Sequence, residues 1–190
     1  MKKTLCAMAV LLPAAALFLR AAPDEKEMPK PGKEHAWLRQ LEGTWAGEID
    51  MLVDPMNPSK PPEKPIRNKV TESTTLLGGW WALAVVKSEM MGQPFEGRGQ
   101  YGYDVEKKKY VGTWIDSMMP HLWEYEGSLD ASGKVLTLEA MGPDCANPGA
   151  MAKFRDVHEI VDKDTRRMSS AVQREGKWVP MMRAELKRMK

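Results

Sequence analysis

FEGRGQYGYDVEKKKYVGTWIDSMMPHLWEYEGSLDASGKVLTLEAM, residues 95–141, contains four segments of alternating apolar and polar side chains, joined by short polar turns. Two-residue alternation is typical of a strand with one buried face, and short turns join antiparallel neighbours. One face of each segment collects glycines and large apolar side chains, while the other collects glutamates, Arg98 and Gln100. The stretch therefore predicts an antiparallel meander.

The turns also predict which residues face each other, because each turn fixes the register of the strands it joins. Glycine falls opposite a large ring twice, which is typical of a strongly curved sheet in which a bulky side chain needs room. The predicted pairs are Gly99 with Trp114, Trp114 with Trp123, Gly112 with Tyr125, Asp116 with His121 and Tyr125 with Leu138.

Strand-like segments continue on both sides of this meander. Residues 43–53, 68–77 and 80–91 precede it, and three segments follow, the last of which places Trp178 and Met182 inward. We predict an all-β fold, an antiparallel meander of about 9–10 strands closed into a barrel, because closure removes exposed edges. A short helix, with Trp37, Leu38 and Leu41 on one face, is predicted to plug one end of the barrel.

The first 22 residues have the pattern of a secretory signal peptide. Lys2 and Lys3 precede an apolar run over residues 5–19, and Ala21 and Ala22 stand before a charged segment. A membrane anchor is the alternative, but the run is shorter than the roughly 20 residues that span a bilayer. We expect export to the periplasm or the medium, a flexible tether over residues 23–32 and a single domain over residues 33–190.

Charge and cysteine content narrow the function further. The formal charge of +2 becomes −1 once Lys2, Lys3 and Arg20 leave with the signal peptide. No positive excess remains to bind phosphates, which argues against a nucleic-acid partner. Cys145 is then the one cysteine left, so no intrachain disulfide is expected. We predict neither a cofactor nor stable membrane insertion.

Four segments together carry a resemblance to a known family: EHAWLRQLEGTWAGE, LLGGWW, the run from Ser88 to Met118, and LWEYEG. They resemble the domain-of-unknown-function family 1579 of exported bacterial proteins. The resemblance implies a calycin-like, lipocalin-like barrel and carries over no established activity. Gly43-Thr44-Trp45 after a helix is also similar to the opening of lipocalins, which often place an arginine against this tryptophan. Arg183 is the obvious candidate, but it falls on the face predicted to point outward.

The aromatic inner face favours a protein that binds a small, mostly apolar ligand inside the barrel, since barrels of about eight strands can hold one. Asp116 and His121 are predicted to supply the polar contacts that orient it. The predicted ligand-binding residues are Trp80, Trp114, Asp116, His121, Trp123, Tyr125 and Met182.

Two other functions stay open, although the pattern favours a binding protein over an enzyme. The first is an enzyme in which Asp116 and His121 form a dyad for proton transfer. A three-ligand metal site in which His158 and Asp156 join this pair is conceivable, but the linear spacing does not support it and we predict no metal. The second is a packed barrel that serves as an interaction module through the proline-rich loop at residues 55–65.

Two further motifs have simpler explanations. Residues 97–102 have the glycine spacing of a dinucleotide fingerprint, but strand follows strand here, so curvature explains the glycines. Methionine doublets such as Met181-Met182 suggest copper. Adjacent residues on a strand point to opposite faces, however, so we interpret the methionines as adaptable lining.

Overall fold

The four alternating segments of residues 95–141 form four neighbouring strands of a closed, ten-stranded antiparallel barrel in meander order. The computed structural model describes residues 30–54, 57 and 62–190. The predicted signal peptide, most of the predicted tether and most of the proline-rich loop lie outside the described residues. The elements are α1 (Lys33–Leu38), a short 3-10 helix (Arg39–Leu41), β1 (Gly43–Met51), β2 (Ile66–Leu77), β3 (Trp81–Met90), β4 (Gln93–Asp104), β5 (Lys109–Asp116), β6 (Trp123–Leu129), β7 (Val135–Pro143), β8 (Met151–Asp162), β9 (Thr165–Arg174) and β10 (Lys177–Arg188).

The register confirms three of the predicted pairs: Gly99 with Trp114, Trp114 with Trp123, and Gly112 with Tyr125. The glycines make room for the rings. A Cβ atom on Gly97 would lie 2.0 Å from the ring of Trp114, so that ring rests directly on the β4 backbone. The glycines of residues 97–102 therefore belong to a strand, as the curvature interpretation predicts.

Two predicted pairs are wrong, and in both cases an aspartate side chain shapes the turn. Leu138 pairs with Gly127 instead of Tyr125, because Asp130 accepts hydrogen bonds from the N–H groups of Lys134 and Val135 and so draws Lys134 into the turn. The shift of two residues leaves the facing unchanged.

The second wrong pair is Asp116 with His121. The ladder between β5 and β6 ends at Trp114 and Trp123. Asp116 accepts hydrogen bonds from the N–H groups of Met118 and Met119, at 2.8 and 3.0 Å, and these bonds turn the chain away from the sheet. His121 consequently lies in a loop.

The helix closes one end of the barrel, as predicted. Trp37, Leu38 and Leu41 are buried. The hydroxyl of Tyr110 donates to the carbonyl of Glu34 at 2.8 Å, which ties α1 to β5. Trp45 on β1 donates from Nε1 to the carbonyl of Leu41 at 2.9 Å. These contacts join the helical segment to β5 and β1 at the end of the barrel that it closes.

Arg188, at the end of β10, stacks on Trp45. Its guanidinium carbon lies 4.1 Å from the centre of the ring, and its N–H groups donate to the carbonyls of Gln40, Glu42 and Lys163. Arg183 instead bonds to Asp50 on the outer face, at 3.2 Å. The lipocalin-like pairing therefore forms, but with a different arginine from the candidate chosen by sequence.

A β-bulge between Pro180 and Met182 reverses the facing of the first part of β10. Trp178 was predicted to face inward, yet it lies outside, with Arg155 stacked on its ring at 3.9 Å. The bulge also breaks the alternation at the methionine doublet. Met181 packs on the core, and Met182 pairs with the inward-facing Ser170. The two methionines thus do not point to opposite faces.

Within the described ranges, no helix is long and apolar enough to cross a lipid bilayer.

Candidate ligand-binding site

The interior of the barrel is tightly packed near the helix and less buried toward the other end. In the half next to the helix, Trp45, Leu136 and Leu186 are each 1% exposed. In the opposite half, Trp123, Phe154 and Val172 are also buried. Other inward-facing residues there are only partly buried: Ile49, Trp114, Asp156, Ser170 and Met182. We refer to this second region as the open half. The difference indicates that solvent reaches into the barrel from the end opposite the helix.

One wall of the open half is aromatic. Trp114, Trp123 and Tyr125 lie on β5 and β6, and Phe154 lies on β8 with its ring 4.8 Å from that of Trp123, edge to face. Gly142 leaves room for the Trp123 ring, since a Cβ atom there would lie 2.0 Å from it. Local glycine placement thus holds the rings against the sheet, where they form an apolar surface.

A buried ion pair lies between this wall and the helix end of the barrel. Arg166 on β9 pairs with Glu72 on β2, and both residues are at most 5% exposed. The hydroxyl of Thr74 donates to the same carboxylate at 2.7 Å. Arg166 also stacks on Trp45, with 4.8 Å between the guanidinium carbon and the ring centre. The pair neutralises both charges where water is excluded.

Polar groups without complete partners meet between the ion pair and the aromatic wall. Asp156 and His158 occupy successive inward-facing positions on β8. Ser170, on the neighbouring strand β9, lies opposite Asp156. The ring of Tyr101 contacts that of His158, with 5.5 Å between their centres. Tyr125 donates from its hydroxyl to Oδ2 of Asp156 at 2.8 Å. We call Tyr101, Asp156, His158 and Ser170 the polar floor.

Burial sets the protonation of this region. Burial, with a smaller contribution from the nearby Arg166, lowers the pKa of His158 below its usual value of 6.5, so the imidazole is neutral at pH 7. Burial and the charge of Asp156 raise the pKa of both Tyr101 and Tyr125. The two phenols are therefore protonated, and they can donate hydrogen bonds.

Four of the predicted ligand-binding residues have their side chains in the open half of the barrel: Trp114, Trp123, Tyr125 and Met182. A fifth, Asp116, lies on the same face of β5 as Trp114, at the end of the strand. Trp80 does not belong to this group. It lies in the turn before β3, at the helix end, with its ring 4.7 Å from that of His35. The role of the four inward residues in binding stays a prediction.

Asp116 and His121 make separate contacts. Asp116 accepts a hydrogen bond from Nε1 of Trp114 at 3.0 Å. His121 packs edge to face on Trp123 and borders a groove of about 470 Å³ on the outer face of β6 to β8, although it was predicted to face inward. Among the residues that the structure describes, no hydrogen bond or ion pair joins the two side chains. The proton-transfer dyad stays a prediction without a contact to support it.

Sequence reasoning missed Glu72, Arg166 and Ser170. The signal for Glu72 was present, because it stands in phase with Val70 and Leu76 on β2. Arg166 has no such signal, since its strand alternates poorly. Among the described ranges, no three His, Cys, Asp or Glu side chains are grouped so as to hold a metal. Asp156 and His158 therefore have no third such side chain placed to complete a metal site with them in this part of the chain.

The fold and the site define the class of protein: a closed antiparallel barrel with a helix at one end and a part-polar interior. Residues 30–188 match the family described as "Protein of unknown function (DUF1579)", and the chain belongs to that family. No curated protein sequence matches the chain.

Two solved structures are similar to the barrel. Rv2717c from M. tuberculosis aligns with a TM-score of 0.59 and 17% sequence identity, over 84% of this chain and 99% of that one. The S-type phycobiliprotein lyase CPES from Guillardia theta aligns with a TM-score of 0.51 and 11% identity, over the same shares of the two chains. At such low identity the likeness concerns the fold.

Proposed function

We propose that this protein binds a small, mostly apolar molecule in the open half of its barrel, against the aromatic wall. The observation that carries the proposal is a burial difference inside the barrel: the half near the helix contains the most deeply buried side chains, whereas Trp114, Asp156, Ser170 and Met182 in the other half are only partly buried beside the buried rings of Trp123, Tyr125 and Phe154. Apolar lining with a few convergent polar groups is typical of small-molecule sites.

The similar barrel of the phycobiliprotein lyase is named for an action on a phycobiliprotein, and at 11% identity its likeness to this chain concerns the fold. The proposal for this chain rests on its own residues.

The test fills the open half with a large side chain. Ser170→Phe places a ring on the inner face, and Ser169→Phe places the same ring one residue earlier, on the outer face beside Arg183. The probe is the neutral dye N-phenyl-1-naphthylamine, whose fluorescence increases in an apolar site. We expect the wild type and Ser169→Phe to bind the dye, and Ser170→Phe to lose at least about tenfold in affinity.

Equal binding by all three proteins would place the dye outside the barrel and contradict the proposal. Absence of dye binding to the wild type, together with an absence of any small molecule in native mass spectra of the purified protein, would also contradict it. Circular dichroism of each variant checks that the barrel is intact.

We also propose that the protein acts outside the cytoplasm, because residues 1–22 have the pattern of a signal peptide. The intact mass of protein recovered from the periplasm tests this. A mature chain that starts near residue 22 or 23 is expected, and an unprocessed chain in the cytoplasm is the contrary result.

A further inference from the structure

We propose that the ligand carries a positively charged, hydrogen-bond-donating group, such as a protonated amine, which the polar floor binds while the aromatic wall binds the apolar part. This inference rests on the proposed function above, because it names the chemical class of the molecule held in the open half. It is argued from three features of the floor: its unused polar atoms, its charge and its aromatic surroundings.

The polar floor has atoms that the protein itself leaves without partners. Nε2 of His158 is buried and has no hydrogen-bond partner within the described part of the chain. There, too, the hydroxyls of Tyr101 and Ser170 make no hydrogen bond, and Asp156 uses Oδ2 alone, to accept from Tyr125. Buried polar groups are nearly always paired in proteins, so the unpaired Nε2 of His158, beside hydroxyl and carboxylate oxygens that are also free to bond, indicates a missing partner.

The charges near the floor favour a cation. Glu72 neutralises Arg166, and at the rim Asp144 neutralises Arg174 at 2.5 Å. Asp156 has no cationic partner among the described residues, and its one hydrogen bond comes from a neutral phenol. A half-buried carboxylate in this position is stabilised by an approaching positive charge, whereas a carboxylate on the ligand would be repelled.

The neutral imidazole of His158 also favours a ligand with a positively charged, hydrogen-bond-donating group. Because burial lowers its pKa, the imidazole is neutral and Nε2 can accept a hydrogen bond from an ammonium group. The ring of Tyr101 packs against that of His158, and the Tyr101 hydroxyl oxygen is a further neutral acceptor of the polar floor. Together with Asp156, these acceptors match the three N–H donors of an ammonium group.

The aromatic wall suits a cation as well. Phe154 lies on β8, two residues before Asp156, and Trp123 and Tyr125 lie on β6, from which the Tyr125 hydroxyl reaches Asp156. The face of an aromatic ring attracts a nearby positive charge. A ligand whose apolar body lies along these rings would thus place its charged end in a favourable field. A neutral or anionic ligand of the same shape would not benefit from this field.

The experiment compares three probes with the same body and different end groups: 4-phenylbutylamine, 4-phenylbutan-1-ol and 4-phenylbutyrate. Their affinities for the wild-type protein are measured at pH 7.5 by isothermal titration calorimetry. We expect the amine to bind at least about tenfold more tightly than the alcohol, and the carboxylate to bind most weakly.

Two variants locate the effect. Asp156→Asn removes the charge and keeps an oxygen that can accept the hydrogen bond from Tyr125, so it should abolish the preference for the amine and leave the alcohol unchanged. Glu159→Gln is the matched control, because it neutralises a carboxylate on the outer face of the same strand. It should leave all three affinities as in the wild type.

The outcomes separate this inference from the proposed function. Binding of the alcohol or the carboxylate at least as tight as that of the amine would overturn the inference and leave the proposed function standing. An amine preference that persists in Asp156→Asn would also overturn it. If neither these probes nor the dye bound, the proposed function itself would fail.

Discussion

His158 is a buried, neutral imidazole among charged neighbours. Its ring packs on Tyr101, and Arg166, Glu72 and Asp156 all act on its charge. Because burial is the largest influence, the folded protein resists protonation of this residue. At the scale of single residues, His158 therefore links the stability of the barrel to pH.

We predict that the free energy of unfolding decreases as pH falls below about 6.5. The unfolded chain then binds a proton at His158 that the folded chain does not bind, so stability is lost on acidification, by up to about 1.4 kcal/mol per pH unit. His158→Gln should flatten this dependence between pH 7 and 5. Urea unfolding at several pH values measures it.

His121→Gln provides the control, because His121 lies at the outer groove and is partly exposed. Carboxylates affect stability mainly below pH 5, since their ordinary pKa values lie near 4. The same slope in the wild type and His158→Gln would contradict the assignment to His158.

At the scale of elements, Glu72 and Arg166 join strands that are not neighbours. β2 and β9 are separated by β1 and β10 in the sheet, and the ion pair crosses the interior between them. Such a pair strengthens the tie between strands only while both members are present. Removal of one partner leaves an uncompensated charge in the packed half.

We predict that Glu72→Gln lowers the free energy of unfolding by about 3–5 kcal/mol, because Arg166 loses its counter-charge. The double variant Glu72→Leu/Arg166→Met should be more stable than Glu72→Gln, since no buried charge remains. Urea unfolding of the single and double variants measures the difference.

A surface ion pair is the control for this comparison. Arg167 is about half exposed and bonds to Glu185 at 3.1 Å, so Arg167→Ala should change the free energy of unfolding by less than about 1 kcal/mol. A double variant less stable than Glu72→Gln would show that the buried pair does not act as a unit.

For the whole molecule, the two halves of the barrel interior divide stability from binding. The half near the helix is closed by α1, Trp45 and Arg188 and contains the most deeply buried side chains. The open half has partly buried inward residues and unpaired polar atoms. A protein that binds a ligand inside a barrel needs one packed region to maintain the fold and one region left incompletely filled.

We predict that truncations in the two halves have different effects on stability. Leu136→Ala, in the packed half, should lower the free energy of unfolding by about 2–5 kcal/mol because it leaves a cavity. Met182→Ala, in the partly exposed open half, should lower it by about 1 kcal/mol or less. Urea unfolding measures both, and similar losses would argue against the division.

Much of the fold follows from local sequence patterns, namely the two-residue alternation, the glycine positions and the helical spacing of apolar residues. The alternation over residues 95–141 placed the side chains of the four strands on their faces, although not His121 in the loop before β6, and the glycines at positions 97, 99 and 112 indicated where rings needed room. Trp37, Leu38 and Leu41 likewise identified the buried face of the helix. These features depend on neighbours along one or two strands, so sequence spacing contains them.

The sequence by itself determined the class of fold, the closed meander, the helix at one end and the aromatic wall. Only the tertiary structure decided the polar floor and its supports: β10 changes face at a bulge, Asp116 and Asp130 reshape their turns through side-chain hydrogen bonds, and Arg166 reaches Glu72 from a distant strand. The physical reason is that an alternation pattern records facing along one strand. Which side chains meet across the interior depends on barrel closure, and closure joins residues that are far apart in the chain.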